Sequence, residues 1–316
     1  MVCVIGEALI DLVLESSTAG SGSLAYLAHP GGSPYNVAIG LARLGGPSQL
    51  LARLSGDAFG RQLRSHAQAN QVDLSLAVAA PEASTLAVVS LDADRNATYD
   101  FYRTGTADWQ WTAAELARIP ADAGWVHTGS LASWTSPGAE VIEARLAELA
   151  GTAVISFDPN IRPALLTDHA EAVARIERLV SLATVVKASA EDLHGLYPEL
   201  GVPQVLARWR DRGPALVVVT DGGRGAQAIA DGDPFTVAAR PITVVDTVGA
   251  GDAFMAGLIN ALARDELVTR GLQTGDRLAA EQVRPAIEEA ILVAALTCTR
   301  AGADPPTAAE LAAAQG

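Results

Sequence analysis

Residues 246–252 (DTVGAGD) have types and a spacing suited to group transfer. Gly249 and Gly251 allow a sharp backbone turn, and the apolar run from Ala253 predicts a helix that begins there. The first N–H groups of a helix lack partners within it and carry partial positive charge, so they suit a phosphoryl group. Asp252 falls in the first turn, where its carboxylate is placed to accept a proton from an attacking hydroxyl. This spacing favours phosphoryl transfer to an alcohol. A tight turn followed by an acidic residue at the start of a helix, with no catalytic role, would show the same sequence pattern.

The longer string at residues 246–254 (DTVGAGDAF) resembles a signature of the phosphofructokinase-B (ribokinase-like) family of carbohydrate kinases. The resemblance implies an α/β fold, a three-layer sandwich with a mostly parallel central sheet, helices on both faces and a small β-sheet lid. It implies a general base and backbone donors for the phosphoryl group. The catalytic residues implied are Asp252, Gly249, Ala250 and Gly251.

The order of the predicted elements agrees with such a fold. Apolar strand-like runs at residues 124–127, 153–157, 184–186 and 215–220 alternate with helical segments, which favours a mostly parallel sheet. Two β-rich runs on either side of a polar turn, at 85–91 and 98–102, predict a hairpin. We expect a single kinase domain over residues 1–316, with lid segments inserted at about 11–30 and 84–106.

Composition excludes several other classes of protein. The chain has 316 residues, a net charge of −14 and a pI of about 4.7, which disfavours a nucleic-acid surface. No apolar run approaches the ~20 residues that span a bilayer, and the first residues read as a strand, not a signal peptide. The two cysteines form no framework with histidines, so we expect no structural zinc and a cytoplasmic location. The single lysine, Lys187, follows no glycine-rich loop, so a Walker-A P-loop is absent.

A second informative stretch lies near the N-terminus, at residues 29–38 (HPGGSPYNVA). Its pattern predicts a helix with Ser33 as N-cap and Pro34 at the first helical position. By pattern alone, Asn36 is as consistent with a helix-capping residue as with a ligand contact. Asp11 is likewise as consistent with a solvated acid in a turn as with a substrate-binding residue. The resemblance instead implies that the sugar hydroxyls are held by Asp11, Gly31, Gly32 and Asn36.

Two arginines are further candidates for substrate binding. Arg103 follows the second strand of the predicted hairpin, and Arg162 ends the string DPNIR after a predicted strand. Similar D-P-N-x-R strings occur in fructokinases and 2-keto-3-deoxygluconate kinases of the family. Instead of binding the substrate, Arg103 would form a surface salt bridge in the alternative interpretation, and Arg162 would bind a phosphate group.

The nucleotide side is implied by two further strings. Residues 187–192 (KASAED) occupy the place of the family's N-x-x-E, so Ser189 and Asp192 replace both letters, and a helix cap explains Ser189 equally well. Residues 220–225 (TDGGRG) resemble the family's T-x-G-x-x-G. The nucleotide-binding residues implied are Lys187, Ser189, Thr220, Gly222, Gly225 and Gly251. The expected cofactors are ATP and Mg²⁺. We expect no direct protein ligand to the Mg²⁺ ion, which Asp192 would contact through water. The resemblance also allows a K⁺ site that involves Asp246, without predicting one.

The resemblance therefore implies an ATP-dependent kinase that phosphorylates a primary hydroxyl of a monosaccharide. Fructose is the expected substrate. The alternative is 2-keto-3-deoxygluconate or another sugar that the family phosphorylates. A non-catalytic sugar-responsive regulator is a third possibility, against which the intact residues 249–252 argue. We expect a homodimer paired through the lid, because an exposed sheet edge needs cover, and neither a nucleic-acid nor a membrane partner.

Overall fold

The computed structural model describes residues 1–17, 24–91, 97–162, 165–166, 168–276 and 278–315. The strands in the described residues are β1 (Val2–Ile5), β2 (Leu9–Ser17), β3 (Leu24–Gly31), β4 (Ser48–Leu51), β5 (Arg53–Ser55), β6 (Val78–Ala80), β7 (Leu86–Leu91), β8 (Ala97–Tyr102), β9 (Trp125–Gly129), β10 (Val154–Asp158), β11 (Val185–Ser189), β12 (Leu216–Thr220), β13 (Ala226–Ile229) and β14 (Phe235–Val237). The α-helices are α1 (Ser33–Arg43), α2 (Ala58–Ala69), α3 (Ala113–Leu116), α4 (Ser130–Trp134), α5 (Gly138–Leu149), α6 (His169–Leu182), α7 (Ala190–Leu196), α8 (Val202–Arg210), α9 (Ala250–Arg264), α10 (Glu266–Thr274), α11 (Ala280–Cys298) and α12 (Ala308–Gln315).

The main sheet has eight strands in the order β14-β13-β12-β11-β10-β9-β1-β4. The six strands from β12 to β4 are parallel, and β13 and β14 add antiparallel to the β12 edge. Parallel strands bring their carboxyl ends to one edge of a sheet, where ligands of open α/β folds bind. The strand-like runs of the sequence are thus confirmed as β9 to β12, each within a few residues of the expected limits.

Helices cover both faces of the main sheet. Consecutive strand residues alternate between two apolar cores: Val4 and Val185 belong to one, Ile5 and Val186 to the other. The first core is closed by α1, α9 and α11, the second by α5, α6 and α8. Strands buried on both faces read as continuous apolar runs, which explains why they were visible in the sequence. The expected three-layer arrangement is confirmed.

A separate sheet of four strands, which we call the small sheet, has the order β3-β2-β7-β8. The hairpin β7–β8 and the pair β2–β3 are antiparallel, and β2 and β7 run parallel to each other. These strands occupy the segments expected to form a lid, apart from residues 18–23 and 92–96, which lie outside the described residues. The chain therefore enters the small sheet twice: β2 and β3 lie between β1 and α1, and β7 and β8 lie between β6 and α3.

Local capping patterns gave mixed results as predictors of helix starts. Asp57, an aspartate just before an amphipathic run, caps α2: its Oδ1 accepts a hydrogen bond from the Gly60 N–H at 2.7 Å. The expectation for α1 was wrong by one residue: Gly32 is the N-cap, with φ of 103°, and Ser33 is already helical. A positive φ suits glycine best, so the cap falls on Gly32 and leaves the Ser33 hydroxyl free for another contact.

No helix in the described part of the chain combines the length and the apolar character needed to cross a membrane.

The packing of α9 is the basis for a prediction about stability. Leu258 on α9 is fully buried, whereas Leu267 on the neighbouring α10 is 74% exposed. Leu258→Ala should lower the free energy of unfolding by about 2–5 kcal/mol, because it removes buried methyl groups and leaves a cavity. Leu267→Ala is the matched control and should change it by no more than about 0.5 kcal/mol. Urea unfolding would check both values, and equal effects would contradict the described packing.

Candidate active site

The start of α9 lies at the edge of the main sheet where the parallel strands end. Gly249 is the N-cap in a left-handed conformation, with φ of 73°. The Ala250 N–H donates to the Thr247 carbonyl oxygen at 3.2 Å and so belongs to the turn. The N–H groups of Gly249 and Gly251 have no acceptor among the described residues. This helix start therefore presents free donors and partial positive charge to an anion.

Asp252 in the first turn of α9 is buried and held from α1. Its Oδ1 accepts a hydrogen bond from the Ser33 hydroxyl at 2.6 Å, and its Oδ2 accepts one from the Asn36 amide at 2.9 Å. Burial raises the pKa of Asp252, while Ser33, Asn36 and the nearby cation Lys187 lower it. The carboxylate is thus fixed in orientation and stronger as a base than an exposed aspartate.

Ser33 and Asn36 reach Asp252 together because they are three residues apart on the first turn of α1, and therefore on one face of it. The sequence identified Asn36 as a candidate but missed Ser33, which was expected to cap the helix. The i, i+3 spacing of two polar residues at the start of a buried helix was the signal for this pair.

Asp11 lies on β2 near the same site. Burial raises the pKa of Asp11 to about 6; Arg162 lowers it and Asp252 raises it, so all three side chains are within electrostatic reach of one another. The Asp11 side chain lies against Gly31 of β3: a Cβ at residue 31 would be only 2.3 Å from Asp11 Oδ2. The structure therefore brings the early sugar candidates to the neighbourhood of Asp252.

The single lysine of the chain lies beneath the start of α9. Lys187 Nζ is 2.8 Å from Asp158 Oδ2, both side chains are almost completely buried, and a Cβ at Gly251 would be 3.0 Å from Nζ. Burial alone would lower the pKa of Lys187, but the carboxylates of Asp158, Asp192 and Asp252 outweigh it and raise the pKa. A fixed positive charge therefore lies directly against the backbone expected to receive the phosphoryl group.

The remaining nucleotide candidates follow two adjacent strands. Ser189 and Thr220 are register partners at the ends of β11 and β12. Ser189 caps α7 in a reciprocal capping box with Asp192, whose Oδ1 also accepts a hydrogen bond from the Ile161 N–H at 2.7 Å. Gly222 is exposed in the turn after Thr220.

Gly225 is buried just before β13, where a Cβ would be 2.1 Å from the Val237 carbonyl oxygen. The close approach of β14 therefore explains this glycine without a ligand.

The two candidate arginines are in different surroundings. Arg162 is exposed beside Asn160, to which its Nη1 donates at 2.6 Å, and its charge acts on Asp11 and Asp252. Arg103 instead lines a cavity of about 190 Å³, together with Trp134 of α4 and Arg175 of α6. The structure thus brings Arg162, and not Arg103, into the group around Asp252.

Comparison with known proteins gives the same picture. The sequence matches the pfkB family carbohydrate kinase over residues 1–309. A fructokinase of Rhizobium leguminosarum bv. trifolii is 38% identical over 270 residues, which are 85% of this chain and 82% of that protein. Among solved structures, fructokinase of Xylella fastidiosa with bound ATP is 28% identical, with a TM-score of 0.87 over 99% of this chain and 97% of the other. A fructokinase double mutant of Vibrio cholerae O395, bound to fructose, ADP and potassium ion, is 30% identical. Its TM-score is 0.84, and the match covers 99% of this chain and 97% of that chain.

The family match includes α1, the small sheet and the start of α9, so it contains every residue that surrounds Asp252. The similarity of fold extends over nearly the full length of both chains in each solved structure compared. Sequence, fold and the surroundings of Asp252 agree, and the chain belongs to the pfkB family of carbohydrate kinases.

Proposed function

We propose that this carbohydrate kinase transfers the γ-phosphoryl group of ATP to the primary 6-hydroxyl of fructose. One observation carries the chemistry: a buried carboxylate, Asp252, is held by Ser33 and Asn36 at a helix start with free N–H groups. The choice of acceptor rests on the relatives, which include the Rhizobium fructokinase and the Vibrio fructokinase bound to fructose and ADP.

The proposed reaction begins at Asp252. Its ionised carboxylate accepts the proton of the sugar hydroxyl while the hydroxyl oxygen forms a bond to the γ-phosphorus. The bond between that phosphorus and the bridging oxygen breaks, and ADP leaves with the electron pair. Ser33 and Asn36 occupy one lone pair on each carboxylate oxygen, which fixes the direction of the others. A positioned base of this kind contributes ~10²–10⁴-fold to the rate.

Negative charge on the transferring group is stabilised from the protein side by backbone donors and one cation. The N–H groups of Gly249 and Gly251 point out of the helix start, and the buried ammonium of Lys187 lies behind Gly251. Preorganised donors in a water-poor site stabilise developing charge more than they would in water. We assign the remaining nucleotide contacts to Ser189, Thr220 and Gly222.

The sugar is proposed to lie between Asp11, Gly31, Gly32 and Asn36. Asn36 uses one amide hydrogen for Asp252, so its carbonyl oxygen and second hydrogen are left for a sugar hydroxyl. The Asp11 carboxylate can accept two hydroxyl donors, and the lack of a side chain at Gly31 gives it room. In this arrangement the small sheet acts as a lid over the sugar, within a single kinase domain.

Mg²⁺ is proposed to accompany ATP and to neutralise charge on its phosphates. Asp192 fits a contact through water, since its oxygens already accept hydrogen bonds from Ile161 and Ser189. A K⁺ site is proposed near Asp246, whose Oδ2 accepts a hydrogen bond from the Gly302 N–H at 2.8 Å and so joins two loops. The Vibrio fructokinase structure with a bound potassium ion supports a role for K⁺, and Asp246 is our assignment of its place. Turnover in K⁺ compared with Li⁺ would test it.

We further propose a cytoplasmic homodimer that pairs through the small sheet. Strand β3 has exposed apolar side chains, with Leu24 57% and Leu27 46% exposed, and such a strand needs cover. Sedimentation of wild type and Leu27→Lys would test the pairing, and a monomeric wild type would exclude it.

A 2-keto-3-deoxy sugar acid is the alternative substrate. Arg162 is exposed and its charge reaches Asp11 and Asp252, so a carboxylate on the substrate would find a partner there. Arginine is the usual bidentate partner of a carboxylate.

The two substrates can be separated by kinetics. We expect kcat/KM for fructose to exceed that for 2-keto-3-deoxygluconate by at least about tenfold, which is ~1.4 kcal/mol of transition-state preference. Arg103→Gln and Arg162→Gln should lower fructose turnover only modestly, because fructose has no charge. Arg178→Gln is the control, since Arg178 is exposed and pairs with Glu143. A preference for the keto acid that is abolished by either arginine variant would contradict the fructose assignment and leave the kinase assignment in place.

The raised pKa of Asp11 predicts that the KM for sugar depends on pH on the acid side, which we call the acid limb. This pKa is raised to about 6, and only the ionised carboxylate can accept two hydroxyl donors. The KM for sugar should therefore rise as the pH falls through about 6, by about tenfold per pH unit well below that value. Asp11→Asn should have a raised KM with no such limb, while the KM for ATP stays constant in both proteins. An acid limb retained in the variant would remove Asp11 from the sugar site.

A further inference from the structure

Several strand ends of the small sheet meet the main fold at one cluster, which we call the root cluster: Glu7, Ala8, Thr85, Thr106 and Asp108. We propose that Asp108 is a positioning residue for the sugar end of the site and acts there as a neutral carboxylic acid. Its link to sugar binding rests on the proposed function, whereas its protonation state does not.

Asp108 contacts the residues just before two strands, β2 and β7, and follows a third, β8, along the chain. Its side chain is fully buried, and its Oδ1 accepts a hydrogen bond from the Ala8 N–H at 2.8 Å, just before β2 and three residues before Asp11. The Thr85 side chain beside the carboxyl group lies just before β7. Asp108 itself follows β8 on the return that carries Arg103. A change at this carboxyl group is therefore transmitted to the strand that bears Asp11.

The direction of the hydrogen bonds indicates where the proton is. Thr106 Oγ1 donates to the Arg103 carbonyl oxygen at 3.0 Å, and Thr85 Oγ1 lies 2.6 Å from Thr106 Oγ1. A hydroxyl has one proton, so Thr85 must donate to Thr106 and has none left for Asp108. Asp108 Oδ2 has no hydrogen-bond partner among the described residues. Thr85 lies beside this carboxyl group and is the acceptor toward which a protonated Oδ2 would have to turn, whereas an ionised Oδ2 stays buried and unsatisfied.

A second carboxyl group beside Asp108 favours the same state. Glu7 is 1% exposed, and its carboxylate accepts hydrogen bonds from the Ala132 N–H at 3.0 Å and from the Ser130 side chain. Burial raises the pKa of Glu7 as well, but these donors lower it, whereas the Asp108 carboxyl group accepts a hydrogen bond only from Ala8 among the described residues. Burial raises the pKa of Asp108 to about 7, the Ala8 N–H lowers it, and the neighbouring Glu7 carboxyl group raises it further.

Two other charged groups near the root cluster, Arg53 and Asp57, have partners of their own. The Arg53 guanidinium donates to the Ala107 carbonyl oxygen and forms ion pairs with Glu82 and Glu115, so its charge is balanced there. Asp57 accepts hydrogen bonds from the Ser84 N–H and hydroxyl at 2.8 Å each, and from Gly60. These donors lower the pKa of Asp57 although burial opposes them, so Asp57 is an ionised carboxylate at the same root.

Ionisation of Asp108 would remove the donor to Thr85 and place a second charge beside Glu7. The fraction of protein with the root cluster intact would then fall about tenfold per pH unit above the pKa, and the apparent sugar affinity with it. The KM for sugar should rise on the alkaline side, whereas kcat at saturating sugar and the KM for ATP should not.

Asp108→Asn tests the proposal, because an amide imitates a neutral acid: it accepts from Ala8 and donates to Thr85. In wild type we expect the KM for fructose to rise at least about threefold from pH 6.5 to pH 8.5. Asp108→Asn should keep the wild-type KM at pH 6.5 and lose the alkaline rise. Thr85→Val, which removes the acceptor, should raise the KM at both pH values. A parallel alkaline rise in wild type and Asp108→Asn would overturn the positioning role.

Thermal unfolding without sugar tests the protonation state separately. A raised folded-state pKa contributes stability that is present below the unfolded-state value, near 4, and is lost as the pH rises to about 7. The Tm of Asp108→Asn minus the Tm of wild type should therefore increase between pH 5 and pH 8. A Tm that falls behind wild type with rising pH would overturn the neutral acid, even if no sugar is turned over.

Asp57→Asn is the matched control from the same root. Asp57 must be ionised to accept its three donors, so the amide should lower the Tm at every pH from 5 to 8 and leave the alkaline rise in KM as in wild type. Loss of the alkaline rise in Asp57→Asn would overturn the assignment to Asp108, because any damage to the root would then have the same effect.

Discussion

The site depends on the attachment of one carboxylate, Asp252 on α9, to the first turn of α1. Ser33 and Asn36 supply both hydrogen bonds, across more than 200 residues of chain. The two helices can approach because Gly40 of α1 lies against Ala256 of α9, where a Cβ would be 2.7 Å from the Ala256 Cβ. The orientation of the Asp252 carboxylate is thus set by helix packing in the core, and any shift of α1 would move it.

Burial has opposite consequences for the charges around this attachment. Asp252 and Asp158 lose hydration, which raises both pKa values, while Lys187 keeps its charge because carboxylates surround it. Asp108, farther along at the root of the small sheet, has a single backbone donor and a carboxylate neighbour, and so favours the neutral state. The charge states of the proposed base Asp252, the cation Lys187 and the proposed neutral acid Asp108 are therefore determined by the donors or carboxylates nearest to each of them.

Features encoded by neighbouring residues could be predicted from sequence, whereas contacts between distant segments could not. The buried parallel strands and the cap at Asp57 follow from local patterns, and the resemblance placed Asp252 correctly at a helix start. The contact of Ser33 with Asp252 and the pairing of Lys187 with Asp158 depend on how α1, α9 and β11 pack, which no local pattern encodes. The helix start at α1 was missed by one residue because Gly32 adopts a positive φ.

The central claim is that the Asp252 carboxylate removes the proton of the attacking hydroxyl. Asp252→Asn keeps the shape of the side chain and the packing of α9 but cannot accept that proton. With fructose and ATP, a coupled assay of ADP release should give a kcat lower by ~10²–10⁴-fold than that of wild type. Calorimetry should show nearly unchanged ATP binding. Near-wild-type turnover in Asp252→Asn would contradict the account.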